Sequence, residues 1–188
     1  MNKKFLSLAG ILVAAFSLAA FGSQPVKAAS YGRIGEVTSP LRMRGKWYYK
    51  GSKALGQDPN KLYKIKIGKH HINGIKLYQA DPRKTEKYAL HFKKYRFIVN
   101  QTMNWGKTSI YNIDNVQWLN VTGWTAGGGN GTSYSLTTQK LHRKLLPALA
   151  IGVGYKPFIA AYAYRIPGHH QLLTHEQKQA IKREILNN

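Results

Sequence analysis

The stretch from Lys61 to Ala80, "KLYKIKIGKHHINGIKLYQA", constrains the fold more than any other part of the chain. Tyr63, Ile65 and Ile67 alternate with Lys64 and Lys66. That two-residue period puts apolar side chains on one face of a β-strand and ammonium groups on the other. Asn73-Gly74 lies between two such runs, and both residues accept the positive φ that a tight hairpin turn requires. A chain patterned this way folds into sheet, with one face toward a core and one toward water.

The pattern recurs along the sequence. After Pro40, "LRMRGKWYYKG" starts another strand-like run. Asp81-Pro82 reads as a turn, after which Tyr88, Leu90 and Phe92 alternate. Lys93-Lys94 then shifts the phase to Tyr95, Phe97 and Val99, as a bulge or tight turn within a strand region does. "WGKTSIYNIDNVQWLNVTGW" predicts two strands around Asp114-Asn115, "AGGGNG" a loop, and "TSYSLT" a further strand. The run from Leu145 to Ile166 is apolar enough to suggest a membrane span, but Pro147, Gly152, Gly154, Lys156 and Pro157 interrupt it. It reads as two buried strands joined at "YKP". Near the end, Thr174 and Gln177 have capping-box spacing ahead of Ile181, Ile185 and Leu186, which predicts one terminal helix. The expected fold class is mainly β: a single antiparallel β-barrel of about eight strands with a C-terminal α-helix.

Residues 1–28 read as a signal peptide. Lys3 and Lys4 precede an apolar run from Phe5 to Phe21, and Val26-Lys27-Ala28 forms a small-residue cleavage site, with cleavage expected after Ala28. Residues 29–39 are then an N-terminal leader, 40–172 the β-barrel domain and 173–188 the C-terminal helix. The mature chain of about 160 residues suits one domain with its own core. The expected location is secreted, extracellular or held electrostatically at the cell wall, with no transmembrane span after signal cleavage. The sequence contains no cysteine, so an exported chain of this kind has neither disulfides nor an acylated anchor and must be stabilised by packing.

Charge directs the functional reading. Lysine and arginine number 29 against 7 aspartates and glutamates, a formal net charge of +22. Such an excess attracts polyanions, among them wall teichoic acid, acidic glycan and anionic lipid, and nucleic acid non-specifically. It also opposes self-association, so a monomer is expected. Basic and aromatic residues are interleaved in "KWYYKG", "KLYKIKIGK" and "HFKKYRF", a combination suited to stacking on rings and gripping anions. The candidate polyanion-binding residues are Lys46, Lys50, Lys64, Lys66, Lys93, Lys94 and Arg96.

Several chemistries find no support. The seven acidic residues include no pair placed for glycoside hydrolysis. Neighbours on a strand point to opposite faces, so His70 and His71 do not share a metal, and His169, His170 and His175 sit in a predicted loop and helix start. Without cysteine or H-E-x-x-H spacing, neither a metal nor another cofactor is expected. No histidine–lysine spacing marks the acid and base of a ribonuclease. "GGGNG" is not followed by the Lys-Ser or Lys-Thr of a phosphate loop. No catalytic residue is assigned, and the protein is expected not to be an enzyme.

"RGKWYYK" resembles the Arg-Gly-x-Trp-Tyr start of small secreted proteins of lactobacilli, a family of unknown function with a β-rich domain behind a signal peptide. "NVQWLNVTGWTAGGGNGTSYSLT" is similar to their later tryptophan and glycine-rich region, and the likeness spans roughly Pro40 to Thr137. Gly45-x-Trp47 also resembles the first strand of the lipocalin and calycin barrels, in which a late arginine packs over the tryptophan. That resemblance implies a lipocalin-like barrel closed by Gly45, Trp47 and Arg165, although the group's middle Thr-Asp-Tyr motif has no counterpart here. Three functions are therefore expected, in order: a secreted, non-enzymatic cationic protein binding an anionic surface or extracellular polymer; a lipocalin-like carrier of a small apolar ligand; and a secreted antimicrobial or bacteriocin-like factor.

Overall fold

A computed structural model describes residues 30–127, 131–141, 144–154 and 156–167. The signal peptide, its cleavage site and the C-terminal helix lie outside the described residues. The described chain is mainly β. Ten strands form one sheet: β1 (Arg33–Glu36), β2 (Gly45–Lys50), β3 (Leu62–Ile67), β4 (His71–Ile72), β5 (Ile75–Ala80), β6 (Trp105–Ile113), β7 (Val116–Gly123), β8 (Thr132–Leu141), β9 (Lys144–Val153) and β10 (Phe158–Ala163). Between β5 and β6 run two helices, α1 (Pro82–Leu90) and α2 (Arg96–Gln101).

The sheet path runs from β10 back through β9, β8, β7, β6, β5, β4 and β3 to β2, while β1, inside the segment expected as a leader, pairs with β5. The ladder does not close into a continuous barrel. Its two ends meet at one bridged pair just past β10, where Tyr48 and Tyr164 exchange backbone hydrogen bonds of 2.7 and 2.8 Å. The hairpin turns take positive φ at Asn73 and Gly74 and again at Asp114 and Asn115.

Alternation along the strands builds the core. Trp47 and Tyr49 on β2, Ile65 and Ile67 on β3, Leu77 on β5, Leu119 on β7, and Leu149 and Ile151 on β9 are buried together with Met43, Tyr134, Ala161 and Ala163. On the opposite face of β5 and β6 a smaller aromatic layer forms. Tyr78 packs edge-on to Trp105 with ring centroids 4.8 Å apart, and Trp105 packs against Trp124 at 5.3 Å. Arg33 lies over Tyr78 and Trp105, and the Trp124 indole donates to the Tyr31 carbonyl at 3.0 Å.

Three expectations are corrected. The alternation around Tyr88–Phe92 and Tyr95–Val99 belongs to the two helices and the turn that joins them, not to strands. Asp81-Pro82 is the helix start rather than a simple turn: the Asp81 carboxylate accepts from the Arg83 and Lys84 amides, and proline occupies the first helical position. Residues four apart share a face in both a strand and a helix, so pairs such as Tyr88/Phe92 and Tyr95/Val99 fit either period. The sheet is also not purely antiparallel, because β5 pairs with β6 in parallel. A parallel pair needs a long crossover, and α1–α2 is that crossover.

Candidate functional site

The residues proposed for closure come together where the two ends of the sheet meet. A 3-10 turn, Leu41–Met43, leads into β2, and the Trp47 indole donates back to the Met43 carbonyl at 2.7 Å, fixing the buried ring against the turn. Arg165, just beyond β10, sets its guanidinium 3.8 Å from the centre of the Trp47 ring. The same guanidinium donates to the Arg44 carbonyl at 2.6 Å and to the Arg42 carbonyl at 2.9 Å. Its partial burial lowers the Arg165 pKa from the ordinary value, and the group remains a cation. Gly45 is required twice over: its φ is +116°, and a Cβ there would collide with the Arg165 guanidinium. Ring stacking and two charge-assisted hydrogen bonds thus tie the turn before β2 to the chain after β10.

The seven candidate polyanion-binding residues divide into two groups on different elements. In the antiparallel pairing of β2 with β3, Lys46 lies opposite Lys66, Tyr48 opposite Lys64 and Lys50 opposite Leu62. Their neighbours Trp47, Ile65 and Ile67 are buried, so Lys46, Lys64 and Lys66 project outward and are exposed. Lys50 turns its ammonium to the Asn60 carbonyl at 3.1 Å. Like charges facing each other across a ladder are mutually unfavourable unless an anion lies between them. The ion pairs among the described residues are Lys61–Asp58 and His70–Glu36, each at 3.9 Å, so no acid neutralises the Lys46, Lys64 and Lys66 cluster. Lys76 on β5, exposed beside the buried Leu77, belongs to the same outward face. Sequence reading passed over it, although the alternation Ile75, Lys76, Leu77 carried the signal.

The second group is on the crossover. Lys93 and Lys94 occupy the turn between α1 and α2, and Arg96 is the first residue of α2. The Lys94 and Lys87 ammonium groups each lie 5.8 Å from the centre of the Tyr95 ring, which packs edge-on against Tyr88.

A third feature had no sequence signal. β5 pairs with β6 only from Lys76–Trp105 to Tyr78–Lys107, its end pairs with β1 as far as Ala80, and an open cleft of about 740 Å³ lies beside Gln79 and Ala80. Thr85 and Glu86 of α1, Lys107 and Ser109 of β6, and Asn120 and Thr122 of β7 supply its polar lining. Lys107 donates to the Ala126 carbonyl at 3.0 Å. Burial holds its pKa below the ordinary value, while the Glu86 carboxylate pulls it back up. The cleft is assembled from four chain segments, at Val37, 79–86, 107–110 and 120–127, which is why no local motif marks it. Among the described residues no cluster of three or more metal-ligating side chains is found, and no helix is long and apolar enough to cross a membrane. Comparison with protein-family models, with curated proteins and with solved structures gives no match to this chain.

Proposed function

We propose that this is an exported, non-enzymatic protein that binds an anionic cell-surface or extracellular polymer, such as wall teichoic acid or an acidic glycan, through the outer face of β2, β3 and β5. One observation carries the reading: strand register gathers Lys46, Lys64 and Lys66 around Tyr48 with no acidic partner. A flexible polyanion lying across this face relieves the mutual repulsion of the lysines while the tyrosine ring offers a stacking surface. The bridged pair Tyr48–Tyr164 and the Arg165 clamp on Trp47 support a lipocalin-like, nearly closed barrel as the scaffold that holds the face rigid.

The apolar-carrier reading has less support. Trp47, Ile65, Leu77, Leu119 and Ile151 fill the interior that a carrier leaves open, and the described cleft is open to solvent with Lys107 and Glu86 in its lining.

Titration of the mature protein with teichoic acid across a salt series tests the proposal. Each lysine near an anionic surface contributes about 1 kcal/mol at moderate salt, so Lys46→Ala/Lys64→Ala/Lys66→Ala is expected to weaken binding by about a hundredfold. The thermal melt should hold or rise, because the variant removes the mutual repulsion of the three lysines. Equal affinity of the triple variant and the parent protein would overturn the assignment of this face.

A further inference from the structure

The crossover between β5 and β6 combines exposed cations with a cluster of exposed large apolar side chains. Large apolar side chains on it are left in water: Leu90 is 69% exposed, Phe92 59%, Phe97 66% and Met103 76%. They are interspersed with exposed cations, Lys87, Lys93, Lys94 and Arg96, while Glu86 is the one acidic residue from Pro82 to Met103. The helices explain the exposure. Side chains that a strand period would bury together are distributed around α1, α2 and their connection, and the only fully buried side chains in the segment are Thr85 and Thr102. A folded protein that leaves two phenylalanines, a leucine and a methionine exposed within so short a stretch presents an interaction surface.

Charge complementarity identifies the partner. A soluble hydrophilic polyanion would satisfy the cations and leave the apolar groups wet. An anionic bilayer satisfies both, since lipid headgroups meet lysine and arginine while acyl chains take up phenylalanine, leucine and methionine. We infer that the α1–α2 crossover is a docking surface for anionic membrane, inserting Phe92 and Phe97 at the headgroup–acyl boundary with Lys93, Lys94 and Arg96 among the phosphates. The Tyr88–Tyr95 contact joins the end of α1 to the start of α2, so the two helices present this surface together. The inference uses none of the β2–β3 lysines and stands apart from the polymer reading.

The absence of cysteine from the sequence allows a clean test. A single-cysteine Phe97→Cys protein, labelled with an environment-sensitive dye, is mixed with vesicles of phosphatidylcholine alone or of equal parts phosphatidylcholine and phosphatidylglycerol. Binding, a blue shift of the dye and its quenching by brominated acyl chains are expected with the anionic vesicles only. Phe92→Ser/Phe97→Ser is expected to lose at least tenfold in sedimentation with those vesicles, and Lys93→Ala/Lys94→Ala to bind more weakly and with a shallower salt dependence. The Lys46→Ala/Lys64→Ala/Lys66→Ala protein should insert normally, which separates the two binding readings. A dye already shielded before vesicles are added would show that another part of the chain, residues 168–188 included, covers the surface, and would overturn the inference. Vesicle binding without acyl-chain quenching would reduce the contact to surface charge and overturn it equally.

Discussion

At the residue scale the most informative position is Gly45, where backbone and side-chain chemistry meet. Its φ of +116° is open to glycine and costs other residues on the order of 1–3 kcal/mol, and the space a Cβ would take holds the Arg165 guanidinium. Gly45→Ala is expected to lower stability through both effects. Trp47 and Arg165 should be energetically coupled, because the cation over the ring and its two carbonyl acceptors depend on one placement. In a cycle of Trp47→Phe, Arg165→Leu and the double variant, thermal or urea unfolding should return a coupling of about 0.5–2 kcal/mol. Strictly additive losses would remove Arg165 as the clamp on Trp47. The resemblance to lipocalin barrels points to these three residues through Gly45-x-Trp47 and a late arginine. Lys107 has no such signal, because its half-buried place in the cleft depends on where β5 turns away from β6.

At the scale of elements, β2, β3 and β5 follow directly from alternation, since each side chain's face is set by its parity and Asn73-Gly74 sets the turn. The crossover does not follow from periodicity. Its aromatic residues satisfy a strand period and a helical one at the same positions, and the deciding residue is Asp81, whose carboxylate takes two of the orphan amides at the start of α1. Asp81→Ala is therefore expected to cost about 0.5–2 kcal/mol. Amide exchange should locate the loss mainly in Arg83–Leu90 while the β8–β9 hairpin keeps its protection. Uniform loss of protection across the sheet would show that α1 and the sheet unfold together. Helix formation also changes what the segment presents: as strand, Phe92 and Phe97 would be core candidates, whereas on the crossover they are exposed.

At the scale of the whole molecule, the excess of positive charge has few internal partners. The two ion pairs among the described residues are long, and one of them depends on a histidine. Self-repulsion therefore opposes the compact state, and raising the salt from low to physiological ionic strength should screen it and raise the melting temperature by about 2–4 °C per kcal/mol recovered. A melting temperature that falls with salt would mean that the charges are arranged favourably in the folded protein. The sequence by itself determined the mainly β class, the faces of β2 and β3, the hairpin turns and the cationic character, because each depends on residues close together in the chain. Tertiary structure alone decided the parallel β5–β6 pair, the helical crossover, the single Tyr48–Tyr164 bridge between the sheet ends and the cleft at Lys107. Each of these depends on which strand lies beside which, and a two-residue period records the face of a side chain but not the neighbour across the ladder.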